Sequence, residues 1–247
     1  MKTLIAGESW VTHSIHVKGF DSFTTSSYEE GVEWLRQALE SAGSVVDYLP
    51  NHEASSRFPS TADDLKPYDV VILSDIGANT LLLAPETFAH SQPRPNRLAS
   101  IAEYVRAGGA LVMVGGYLTF QGIDGKARYH GTPVEEVLPV NISEVDDRRE
   151  SPEGVVPEVI EPEHPVVAGL EKKWPAVLGY NQVEPRDRSS VLVKVGADPL
   201  VVVGEFGRGR SMAFTTDCGP HWAPPPFVNW EGYAKFWAQA IAWLTTR

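Results

Sequence analysis

Cysteine is almost missing: Cys218 is the single one in 247 residues. That excludes an internal disulfide and any multi-cysteine metal knuckle. Basic residues are also scarce, with 21 Lys and Arg against 32 Asp and Glu and a formal net charge of −11. The chain therefore lacks the broad basic surface needed to grip nucleic acid or an anionic membrane. No apolar run reaches the roughly 18 residues that span a bilayer. The opening MKTLIAGESW is too short in apolar residues for a signal peptide and reads as a first strand, so a reducing, cytoplasmic setting is expected. No G-x-G-x-x-G opens the first helix and no P-loop lysine motif occurs; GEFGRG at 204–209 lies between strand-like runs. No cofactor is expected. His13, His16, His130 and His221, with Asp75 and Asp217, have no spacing that demands a metal, and none is expected.

What is present is the composition of a globular protein, 43% hydrophobic and 21% charged. Apolar runs at 2–6, 44–48, 69–74 and 110–114 read as strands. Helical segments separate them. One is expected to start at Ser27 and Glu30, whose S-x-x-E spacing matches a capping box, and to end near Gly43. Another follows Asn96, with Leu98, Ile101, Ala102 and Val105 on one face. Strands separated by helices imply right-handed crossovers and a parallel sheet. Residues 117–173, rich in Gly, Pro and acid, read as a long surface excursion with a solvated tip at 144–150. Runs at 191–195, 200–205 and 211–215 read as closely spaced antiparallel strands. A last helix carries Tyr233, Trp237, Ile241 and Leu244 on one stripe, and the whole chain 1–247 reads as one α/β domain.

In such a sheet, ligands bind beyond the carboxyl ends of the strands. Four segments qualify: Gly7 to His13, with Glu8 and Trp10; Asp75 to Asn79; Gly115, Gly116 and Tyr117, continuing to Gln121; and Asp217 to Trp222, with Cys218 and His221. Cys218 with His221 three positions on and Asp217 beside it is a candidate nucleophile, base and orienting acid. Glu8, directly after a buried strand, is a second candidate acid, because a carboxylate there is costly unless it is paired. Backbone N–H groups around Gly116 and Tyr117 are candidate oxyanion donors. Trp10, His13, Asp75, Asn79, Gly115, Gly116, Tyr117, Gln121 and Trp222 are candidate contacts to an unidentified small molecule.

The run YDVVILSD at 68–75, the helix end YVRAGG at 104–109 and LVMVGG at 111–116 resemble the class I glutamine amidotransferase-like superfamily. Residues 74–79, 114–117, 120–122, 217–218 and 220–222 are similar to its amidotransferase-like branch. Trehalose-utilisation proteins and the trimerisation domain of some β-galactosidases are more distantly similar. The resemblance implies a flavodoxin-like, mostly parallel sheet with helices on both faces, an antiparallel extension in the C-terminal half, and self-association into a homo-oligomer. Working members carry a cysteine at the elbow after the fourth strand and a late His-x-Glu pair. Here the elbow is Gly115-Gly116-Tyr117 and the pair is missing. The expectation is therefore a hydrolase or transferase on a small molecule rather than a glutaminase, or else a sugar-binding or assembly module that has kept the scaffold without its chemistry.

Overall fold

The computed structural model describes Met1–Thr246. In chain order the strands are β1 (Lys2–Gly7), β2 (Ser9–Lys18), β3 (Asp21–Glu30), β4 (Val45–Leu49), β5 (Val70–Ser74), β6 (Ala110–Val114) and β7 (Val140–Asn141). They continue as β8 (Arg148–Val155), β9 (Glu158–Val159), β10 (Val177–Asn181), β11 (Glu184–Pro185), β12 (Ser190–Val195), β13 (Asp198–Phe206) and β14 (Gly209–Phe214). Eight of them form one sheet in the order β4-β1-β5-β6-β14-β13-β12-β9. The pairs from β4 to β14 are parallel; those from β14 outward are antiparallel. The apolar runs thus sit where their patterns place them. β5 and β6 are buried at every residue, as strands covered on both faces must be.

Each face of the sheet has its own apolar layer. On one, the stripe Tyr233, Trp237, Ile241 and Leu244 of helix Glu231–Thr245 packs with Leu35 and Leu39 of helix Glu33–Ser41. On the other, Leu98, Ile101, Ala102 and Val105 of helix Arg97–Arg106 cover Val71, Leu111 and Met113. The Asn96 side chain starts that helix by accepting the Leu98 and Ala99 N–H groups at 3.0 and 3.2 Å.

Two expectations are corrected. The S-x-x-E pair does not cap a helix: Ser27 and Glu30 lie in β3, paired with Thr12 and Ser9 of β2. The helix begins only at Glu33 and has no side-chain cap. Ser27 and Glu30 are taken up in the ladder with β2, so neither stands at the helix start three residues further on. Residues 117–173 are not simply a surface excursion either. Phe120, Ala127, Tyr129, Val134 and Val137 are fully buried on the second apolar layer. Within the expected solvated tip, Asp147 is buried and its carboxylate accepts the N–H groups of Gln121 and Gly122 at 2.8 and 2.9 Å and the Asn181 amide at 2.8 Å.

Candidate active site

Backbone geometry at the strand ends brings the acids together. Gly7 has φ +111°, and a Cβ there would lie 1.8 Å from the Ser74 carbonyl oxygen, so only glycine lets β1 and β5 end side by side. The next residue of each loop is strained: Glu8 has φ 50° and Asp75 has φ 44°, in the left-handed region that non-glycine residues rarely occupy. The Glu8 N–H donates to Ser74 O at 2.8 Å, and Gly31 N–H and Tyr48 Oη hold the Glu8 carbonyl at 3.0 and 3.1 Å. Asn51 Nδ2 donates to the carbonyls of Ser9 and Asp75 at 2.7 and 3.0 Å. Both turns are therefore pinned by neighbours, as strain at such positions requires.

These loops, with 117–123 and 217–221, border a cleft of about 500 Å³. Glu8, Asp75 and Asp217 face it, Trp10 and Tyr117 wall it, and Leu118, Ile123 and Pro220 add apolar surface. Burial pushes the Glu8 carboxyl well above its ordinary range, and the charges of Asp217 and Asp75 push the same way. Burial and the Asp217 charge push Asp75 up to about 6, although its Oδ1 accepts the Leu118 N–H at 2.7 Å. His221 is half-buried with Nδ1 3.6 Å from Asp217 Oδ2, and that carboxylate raises the imidazole pKa. The imidazole meets the Tyr117 ring edge-on with centroids 4.6 Å apart, and the Arg148 guanidinium caps the same ring at 4.8 Å.

The candidate residues divide by position. Glu8, Trp10, Asp75, Tyr117, Asp217 and His221 meet at the cleft. Cys218 lies beneath it, fully buried, with Sγ 3.5 Å from Ser74 Oγ, whose hydroxyl in turn donates to the Glu8 carboxylate. Burial, and then the nearby Glu8 charge, push the thiol pKa up, which keeps it protonated and poorly nucleophilic. Among the described residues, Glu8, Asp217 and Cys218 each bring one possible metal-ligand atom within 4.8 Å of the others. The Ser74 hydroxyl links Glu8 to Cys218, while Asp217 accepts the Gly219 N–H at 3.2 Å and faces His221.

Gly115 and Gly116 form the rear of the site. A Cβ on Gly115 would lie 2.0 Å from Thr215 O. The Gly116 N–H already donates to Asn181 Oδ1 at 3.0 Å, which occupies one expected oxyanion donor. Trp222 stands buried behind Tyr117, its Nε1–H donating to Glu150 at 3.0 Å. Gln121 is buried in the loop that Asp147 holds. Neither Trp222 nor Gln121 lines the cleft, and two further candidates lie on exposed surface away from it. His13 sits on exposed β2 hydrogen-bonded to Ser26, and Asn79 is exposed on helix Ala78–Leu82. Sequence reading missed Ser74, Leu118, Ile123 and Arg148. Ser74 carried a signal, as a hydroxyl at the end of an otherwise apolar strand; Arg148 carried none, because β8 reaches Tyr117 only through the tertiary fold.

A family model described as "Putative glutamine amidotransferase" matches residues 2–246, and the chain belongs to that family. Among solved structures, cytoplasmic protein STM3548 from Salmonella typhimurium is 46% identical, with full coverage of both chains and a TM-score of 0.96. Cytoplasmic protein STM1381 from Salmonella typhimurium LT2 is 45% identical over the same full coverage, also with a TM-score of 0.96. A ThuA-like protein from Parabacteroides merdae ATCC 43184 shares the fold at 16% identity and a TM-score of 0.61, covering 99% of this chain and 90% of that one. No protein of curated function matches.

Proposed function

We propose that this member of the "Putative glutamine amidotransferase" family is an acid–base enzyme, a hydrolase or transferase acting on a small, uncharged, hydroxyl-bearing molecule. One observation carries the reading: three acids from three separate strand ends, Glu8, Asp75 and Asp217, converge on one aromatic-walled cleft. Burial and the neighbouring acids raise Glu8 well above its ordinary range and set Asp75 at about 6, close to neutral pH, where a side chain moves protons most effectively. His221, raised by Asp217, is the second proton carrier. Two titrating groups whose surroundings tune them differently are the recurring pattern of acid–base pairs. Three carboxyl groups disfavour an anionic substrate, while Trp10 and Tyr117 offer flat faces suited to a sugar-like ring.

Glutamine hydrolysis by an elbow thiolate is not the reading supported, since Gly115-Gly116-Tyr117 has no thiol and Cys218 is buried and protonated. The working site is expected in the cytoplasm, as the two Salmonella relatives are described. The test is a panel of nitrophenyl glycosides, sugar esters and lactones with wild type, Asp75→Asn and His221→Ala. Turnover by wild type that falls about 100-fold or more in both variants supports the reading; turnover untouched in both overturns it. The buried position of Cys218 favours a second reading, a non-catalytic sugar-binding module. Saturable sugar binding without turnover, lost in Trp10→Ala and kept in Asp75→Asn, would establish it.

A further inference from the structure

β2 and β3 form a two-stranded sheet separate from the main one. Every residue from Trp10 to Glu30 is exposed. The ladder runs unbroken through ten pairs from Ser9–Glu30 to Lys18–Asp21 and closes with Gly19-Phe20, where Gly19 has φ +64°. At about 3.4 Å per residue the arm projects on the order of 30 Å. A lone two-stranded hairpin is marginally stable in water, so a bare arm of this length needs something to lie against.

Its side chains indicate what that is. Val11, Ile15 and Val17 alternate along one face and are 49%, 74% and 70% exposed. On the other face Phe23 stacks on His16, and Phe20 stands wholly exposed at the tip. In a chain of net charge −11, residues 11–28 hold one Lys and one Asp and so are neutral. A neutral ribbon carrying exposed apolar side chains can lie on another acidic copy of the same chain without the repulsion that two acidic surfaces suffer.

We propose that the Ser9–Glu30 hairpin is an exchange arm that seats on a second copy of this chain, each copy giving one arm and receiving one. With the strand dimensions above, one arm face offers on the order of 350 Å². Reciprocal exchange thus approaches the roughly 800 Å² per partner of a stable interface. The arm roots at the cleft: β2 starts one residue after Glu8, and Trp10, which walls the cleft, donates from Nε1 to Glu29 of β3 at 3.2 Å. Seating the arm therefore fixes one wall of the site. The inference stands on residues apart from the acid–base groups and does not depend on them.

Light scattering coupled to gel filtration of the full chain tests it. Wild type is expected at a multiple of 27.1 kDa. Ile15→Glu with Val17→Glu is expected at 27.1 kDa with unchanged circular dichroism. A second variant replaces residues 13–26 with Asn-Gly. Thr12 and Ser27 stand in the same ladder phase as Lys18 and Asp21, so a two-residue turn closes there, and this variant is also expected to be monomeric. A monomeric wild type, or variants that stay assembled like wild type, overturns the proposal.

Discussion

Asp75→Asn is expected to make the protein more stable while removing its acid–base function. Burial and the Asp217 charge raise the carboxyl from 3.8 to about 6. Between about pH 4 and 6 the native state holds a proton that the unfolded chain has released, so stability declines as pH rises through that window and stays lower above it. The full difference, at about 1.36 kcal/mol per pKa unit, is about 3 kcal/mol at pH 7 and above. Solvent reaching the cleft side of the carboxyl reduces this, so a gain of about 1–3 kcal/mol is expected for the neutral amide. Asparagine keeps an oxygen to accept the Leu118 N–H, so the 2.7 Å bond need not be lost. At roughly 2–4 °C per kcal/mol for a chain of this size, melting at pH 8 is expected to rise by several degrees. Urea unfolding at pH 8 and pH 4.5 is the assay, and the advantage should shrink to about a third at the lower pH. A variant less stable than wild type by 1 kcal/mol or more at pH 8 would mean that Asp75 is a structural acceptor, and the crowded-acid reasoning would fail.

Other outcomes follow from single contacts. Gly7→Ala places a Cβ against Ser74 O at a positive φ and should cost at least about 2 kcal/mol in urea unfolding; a neutral result would contradict the close approach of β1 and β5. Cys218, buried and protonated, should react with a disulfide reagent about 100-fold more slowly than a free thiol until the chain is unfolded. Rapid stoichiometric labelling of the native protein would restore it as a nucleophile. Asp217→Asn should lower the His221 pKa towards 6.5 in proton NMR. The wild-type pairing stabilises the fold fully below that value and is lost as pH rises through the raised native one, so an unmoved His221 would refute the pairing.

Much of the scaffold was legible because strands covered on both faces are apolar: β1, β5 and β6 are short apolar runs, and the helical segments between them mark a parallel sheet. The three cleft acids were legible for a related reason. A charged residue directly after such a strand either meets a partner or costs several kcal/mol, and Glu8, Asp75 and Asp217 all stand in that position or within three residues of it. The exchange arm was not legible. Its Ser27–Glu30 spacing imitates a helix start, and its alternation of Val11, Ile15 and Val17 is diluted by serine, threonine and histidine. Nor were Arg148 and Asp147, because a segment without periodicity gives no sign of which strand it will return to. Local pattern names an element; the return of distant chain to a site is decided by packing.

Carbon-detected NMR titration of the Asp75 carboxyl tests the central claim most directly. The crowded strand ends predict a midpoint near 6, falling towards the ordinary carboxylate range when Asp217 is changed to Asn. A midpoint near 4 in the wild-type protein would contradict it.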